Sequence, residues 1–233
     1  MTVKFAHCFF EQSGTFRDEF AKLGVPAKDY DLCNDFGQTD WQGDLFDQIE
    51  RAFLDKKSTF DYIQPDDIIM AFFPCTYFCG HNEMFFCGTN YNYRQLTRPE
   101  MLDKIMERAQ LRHDYYMTLL KLCRVVESRG LRAIIENPYN AHHYWRFNFP
   151  YKPKVIHMNR RLHGDKFRKP TQYLFIGCEP AGKMSLQLDK PGEYVMEKSG
   201  IERSLISPDY AHNFICDYIL GIDSGHTQPT LFN

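Results

Sequence analysis

No stretch of the 233-residue chain approaches the ~18 consecutive apolar residues needed to cross a bilayer, which argues against a helical membrane protein. An excess of either charge is also missing. Lys and Arg total 28 against 30 Asp and Glu, a net of -2, so the molecule has no long-range pull on a polyanion and would need a local patch to meet one. Internal repeats and low-complexity tracts are absent, which sets aside solenoids and solvated linkers. Paired CxxC knuckles are absent too, so the set Cys75, Cys79, His81 and Cys87 is not expected to bind a metal. The start, MTVKFAHCFF, has no charged segment followed by a long apolar run and a cleavage site, and the eight cysteines are dispersed. Together these point to a soluble protein of a reducing cytoplasm.

What is present is apolar material: 43% hydrophobic and 15% aromatic residues, enough for one substantial core and too little for two large domains. The expectation is a single domain over 1–233 with a small insertion at 183–200, where Gly, Pro and charges mix. The apolar run VKFAHCFF reads as a strand, and GTFRDEFAKLG then places Phe16, Phe20 and Leu23 at helical spacing. AKDYDLC is a second extended piece, and DLFDQIERAFLDKK repeats the helical period. DDIIMAFFP is apolar throughout and bounded by Asp and Pro, as suits a strand buried on both faces of a parallel sheet.

Residues 76–97 show no period and read as a long loop. Positions 98–130 recur every three or four residues as one long helix or two abutting ones, with Gly130 as the stop. LRAIIEN, KVIHMN and TQYLFIG are further strands, and SPDYAHNFICDYILGI is a helix with Ser207 as cap and Pro208 in its first turn. The tail from Ser224 is expected to fray. Strands alternating with helices define an α/β fold with a mostly parallel sheet flanked by helices.

Ligands of open α/β sheets bind beyond the carboxyl ends of the strands, so strand-end residues carry the chemistry. Cys75 follows a buried strand, and Pro74 restricts the backbone that aims its sulfur. Such a thiol is a nucleophile where a neighbour lowers its pKa; otherwise it is a small core residue. Glu136 ends an apolar run, where desolvation or a partner shifts its proton affinity. The competing reading for Glu136 is a helix cap or an exposed terminus.

The order FEQSGTFRDEF, DYDL, GDLF, FFPCT, IIENP, KPTQYLF and RSLISPDYAHNFI, from about residue 5 to residue 220, resembles the succession of motifs in cytosine-5 DNA methyltransferases. The compact phage-type members are the most similar. The resemblance implies a Rossmann-like class I methyltransferase fold in a bacterial or phage-infected cell, S-adenosyl-L-methionine as cofactor and DNA as partner. It implies that Cys75 adds to carbon 6 of cytosine, and that Glu136 contacts ring nitrogen 3 and the exocyclic amine while carbon 5 takes the methyl group. It also implies that Phe10 packs on the cofactor, that Ser13 and Gly14 offer helix amides to its carboxylate, that Asp31 meets the ribose and Asp44 the adenine, and that Pro74 lines the same pocket. In the first turn, Cys8 and Gln12 stand where the family has Asp and Gly. Both Asp31 and Asp44 are also ordinary capping residues.

Between Tyr151 and Pro170, seven cations (Lys152, Lys154, Arg160, Arg161, Lys166, Arg168 and Lys169) face only Asp165. Phosphate contact by Arg160, Lys166, Arg168 and Lys169 is the functional reading, and a solvated charged face is the other. Arg161 or Arg160 stands near the family's active-site arginine, without its Gln-x-Arg-x-Arg spacing. Asn137-Pro138-Tyr139 resembles the Asn-Pro-Pro-Tyr of amino-group methyltransferases but lacks the second proline. Two alternatives stay open: a methylase of free pyrimidine nucleotides, and a methyltransferase-like binding or decoy protein without turnover.

Overall fold

The computed structural model describes residues 2–182 and 205–225. The insertion expected at 183–200 and the tail from residue 226 lie outside the described residues. Seven strands form one sheet: β1 (Ala6–Phe9), β2 (Ala27–Asp31), β3 (Trp41–Gln42), β4 (Ile68–Ala71), β5 (Ala133–Pro138), β6 (Val155–His157) and β7 (Thr171–Ile176). Their order is β3-β2-β1-β4-β5-β7-β6. β7 alone runs against its neighbours β5 and β6; the other pairs are parallel. The architecture is α/β and Rossmann-like, with the order of a doubly wound sheet through β5 and the switch point between β1 and β4.

The central strands are buried along their whole length, which explains why their sequences are apolar without alternation. Successive side chains feed opposite faces. Phe9, Ile69, Ala71 and Ile135 pack under α2 (Leu45–Phe53) and the carboxyl-terminal half of α4 (Arg98–Ser128). Ala6, Cys8, Ile68, Met70 and Ile134 pack under α1 (Thr15–Lys22) and α6 (Pro208–Phe214).

The long periodic segment is a single helix. Thr97 and Glu100 form a reciprocal capping box, and Pro99 sits in the first turn, satisfying amides that have no helical acceptor. Two short helices, α3 (Glu83–Phe86) and α5 (Trp145–Asn148), interrupt the loops. After Phe214 the last helix widens into a π-turn over Ile215–Leu220. No described helix is long and apolar enough to cross a membrane.

Candidate active site

Because β1, β2, β4 and β5 are parallel, their carboxyl ends share one edge. The reversal of β7 brings its amino end, and with it Lys169, to the same place. The result is a cleft of about 390 Å³ whose walls include Phe10, Glu11, Ser13, Asp31, Pro74, Cys75, Glu136 and Lys169, within the size range of small-ligand sites. Residues as far apart in sequence as Phe10 and Lys169 thus meet in one cavity.

Cys75 is half-buried on the first turn after β4, where its carbonyl accepts from the amides of Phe78 (2.9 Å) and Cys79 (3.2 Å). A hydrogen bond from the Cys79 thiol pulls the Cys75 pKa below the ordinary thiol value against the effect of burial, and Lys169 acts in the same direction as Cys79. Cys79 is correspondingly held protonated by its bond to Cys75. This is the environment that favours a thiolate.

Glu136 is buried, and burial raises its carboxyl pKa, while Lys169 and Arg160 moderate the rise. Its Oε1 has no hydrogen-bond partner among the described residues. A buried carboxyl left open in a cleft is costly to stability, and a ligand that supplies the missing bond recovers that cost.

The two strand ends are fastened together by a network that sequence reasoning missed. The Asn137 side-chain amide donates to the Phe73 carbonyl at 2.7 Å, two residues before Cys75. Its oxygen therefore faces His143 Nε2 at 2.9 Å, which fixes the Nε2–H tautomer. His143 Nδ1 then accepts from the Trp145 amide and from Gln172 Nε2, both at 3.3 Å. Burial lowers the His143 pKa to about 4, so the ring is neutral. The sequence signal was Asn137 beside Glu136; that its partner would be His143 was set by the loop path.

At the other end of the cleft, Phe10 has φ 59, a left-handed conformation costing of order 1 kcal/mol for a bulky residue. It sets the ring edge-on to Phe46 and Phe73. Asp31 ends β2 with its Oδ1 accepting from the Cys33 amide (2.8 Å), and burial raises its carboxyl pKa. Gly14, at φ 68, caps α1 from the left-handed region. Of the amides in the first turn of α1, those of Phe16 and Arg17 are already bonded within the protein. Glu11, buried at the wall of the cleft, accepts from Phe16 N at 2.8 Å through Oε1 and from Arg17 N at 3.4 Å through Oε2. Burial nevertheless lifts its carboxyl to about 7. The buried Cys8 thiol is hydrogen-bonded to Glu11, so an acidic group stands at position 11 rather than at position 8.

The other five predicted residues sit away from the cleft lining. Asp44 is exposed and caps α2, accepting from Phe46 N (2.8 Å) and Asp47 N (3.3 Å). Arg160 is fully buried, ion-paired with Asp165 and stacked 4.5 Å from the Tyr210 ring centroid. That corrects its assignment to an exposed phosphate-binding face: Arg160 is a core cation behind Glu136, whose carboxyl it biases toward ionisation. Arg161, next to it on the turn Arg160–His163, is half-buried and is not among the residues lining the cleft. Lys166 and Arg168 are exposed. Among the described residues, no group of three or more His, Cys, Asp or Glu is placed to hold a metal ion.

Comparison with protein-family models and with curated proteins finds no match. The cleft is therefore read from its own chemistry. Asp31 stands at the end of β2, the strand end from which doubly wound folds bind a ribose, and Phe10 beside it offers an aromatic surface to the cleft.

Proposed function

We propose that the cleft methylates carbon 5 of cytosine, in DNA, through a covalent adduct at Cys75. The observation that supports this reading is the meeting of a thiol biased toward thiolate with a buried carboxyl that has an open oxygen, beside a half-cleft suited to a nucleoside. Thiolate addition at carbon 6 of a pyrimidine needs a group that neutralises charge developing on the ring, and a carboxyl whose proton affinity burial raises is suited to donate to nitrogen 3. The other oxygen of Glu136 accepts from the exocyclic amine, so one side chain reads the edge of cytosine and activates it. Lys169 adds positive charge on the same side.

Asp31 and Phe10 would hold the adenosyl group of S-adenosylmethionine, which supplies an electrophilic methyl when bound. After methyl transfer, loss of the carbon 5 proton re-forms the ring double bond and expels the Cys75 sulfur as thiolate. A base in duplex DNA must leave the stack to reach such a cleft, at a cost of a few kcal/mol. Lys166 and Arg168, exposed on the segment leading to Lys169, are the cations suited to the flanking phosphates.

The test is incubation with labelled S-adenosylmethionine and double-stranded DNA, single-stranded DNA or dCMP, together with trapping on DNA carrying 5-fluorocytosine. Label in an acceptor and a trapped complex, both lost in Cys75→Ser, are expected. Label in dCMP alone would move the substrate to free nucleotides. An unlabelled set of acceptors, with no cofactor binding by calorimetry, would leave a binding protein without turnover.

A further inference from the structure

We infer that Glu11 is a specificity-determining residue that closes the α1 end of the cleft to a ligand carboxylate, so that the cleft prefers an adenosyl sulfonium lacking the amino-acid carboxylate. The inference rests on the reading of the cleft as a nucleoside-sulfonium site. In a doubly wound fold, the first strand-to-helix turn offers unpaired helix amides to an anionic group of the ligand. Here the amides of Phe16 and Arg17 both bond the Glu11 carboxyl, and the next amide, Asp18 N, is already in the helical ladder through the Gly14 carbonyl (2.8 Å).

Glu11 is 5% exposed and lines the cleft itself. A second carboxylate would have to displace it from its amides or lie against it in a desolvated place, and both are unfavourable. Among the described residues, the cation of this turn, the Arg17 guanidinium, is engaged by Asp18 (2.8 Å) and by the fully buried Asp29 (2.9 Å), and it donates to the Gln38 carbonyl. The neighbouring carboxyls of Asp29 and Asp31 make this end acidic. An ammonium group, by contrast, finds acceptors there. Burial, with Asp29 acting in the same direction, has already pushed the Glu11 proton affinity upward, and a further anion would add to that effect.

The experiment is calorimetric titration of the full chain with S-adenosylmethionine and with decarboxylated S-adenosylmethionine, in wild type, Glu11→Gln and Glu11→Ala. The wild type is expected to bind the decarboxylated ligand about ten-fold or more tighter, the scale of one charge-assisted hydrogen bond. Glu11→Gln removes the charge while keeping an acceptor for Phe16 N, and should narrow that ratio; Glu11→Ala frees both amides and should reverse it. If Glu11→Ala fails to fold, the Gln variant decides. Tighter binding of the carboxylate-bearing ligand by the wild type overturns the inference and leaves the nucleoside-sulfonium reading standing. A ratio unchanged by either substitution removes Glu11 as its cause. No binding of either ligand removes the underlying reading as well.

Discussion

The two ends of the cleft treat their polar groups in opposite ways. At the Cys75 end, Glu136 keeps a buried oxygen without a partner and the thiol is biased toward its charged form. At the Phe10 end, the carboxyls are spoken for by the protein: Glu11 by two helix amides, Asp31 by Cys33 and, just outside, Asp44 by α2. An unsatisfied buried group costs stability and persists where a ligand completes it, whereas a satisfied one is part of the scaffold. Under the proposed function, this contrast makes the Cys75 end the one that acts on the substrate. The Phe10 end is built to shape what enters.

The sharpest way to break that contrast is Glu136→Gln. An amide of the same shape cannot deliver a proton to a ring nitrogen, so methyl transfer should fall by about 10²–10³-fold, the usual size of a lost acid–base group. Folding stability, read from denaturant midpoints at pH 7, should stay equal or rise, because a carboxyl disfavoured by burial has been removed. A variant that lost both activity and stability would make Glu136 a scaffold residue, and the two ends would no longer differ.

The next effect concerns Glu11 and pH. Its folded pKa, about 7, lies above the ordinary 4.5, so the native state holds the proton more tightly than the unfolded chain. The stabilisation is fully present below about pH 4.5 and is lost as pH rises through about 7, which for a fully buried group amounts to about 3 kcal/mol. Glu11→Gln should flatten this part of the profile in denaturant melts at pH 5 and pH 8. Glu136 is shifted in the same direction, so a residual slope is expected, and it should shrink further in the double variant. A profile identical to wild type would show that Glu11 does not titrate in this window.

What could be read from the sequence follows the same division between pattern and partnership. The buried strands were legible because apolar runs such as DDIIMAFF have few other uses, and Cys75 and Glu136 because each directly follows or ends such a run. β3 was not legible: two residues pairing Trp41 with Tyr30 leave no periodic trace. Nor was the direction of β7, which is set by the path from His157 to Thr171. Arg160 read as surface because cations in turns usually are. Its burial depends on Asp165 five positions on and on Tyr210 from a distant helix, pairings that no local spacing encodes. Glu11 did carry a signal, an acidic residue a few positions ahead of a glycine-started helix, where negative charge is favoured at the helix amino terminus.

Asp44 gives the smallest effect and the finest discrimination. Under the resemblance it meets an adenine amine; in the fold it is exposed and bonds the Phe46 and Asp47 amides at 2.8 and 3.3 Å, the geometry of an N-cap. Loss of such a cap costs about 1 kcal/mol. Asp44→Ala should therefore lower the folding stability read from denaturant melts by that amount and leave calorimetric affinity for adenosyl ligands within about two-fold, since one lost neutral hydrogen bond at the adenine would already cost more than that. Asp44→Ser, which restores a capping oxygen with a shorter reach, should recover most of the stability. If affinity fell in both variants while the midpoint recovered in the serine one, Asp44 would belong to the ligand as well as to the helix. The Phe10 end would then hold, beside Asp31, a second polar group that serves the ligand.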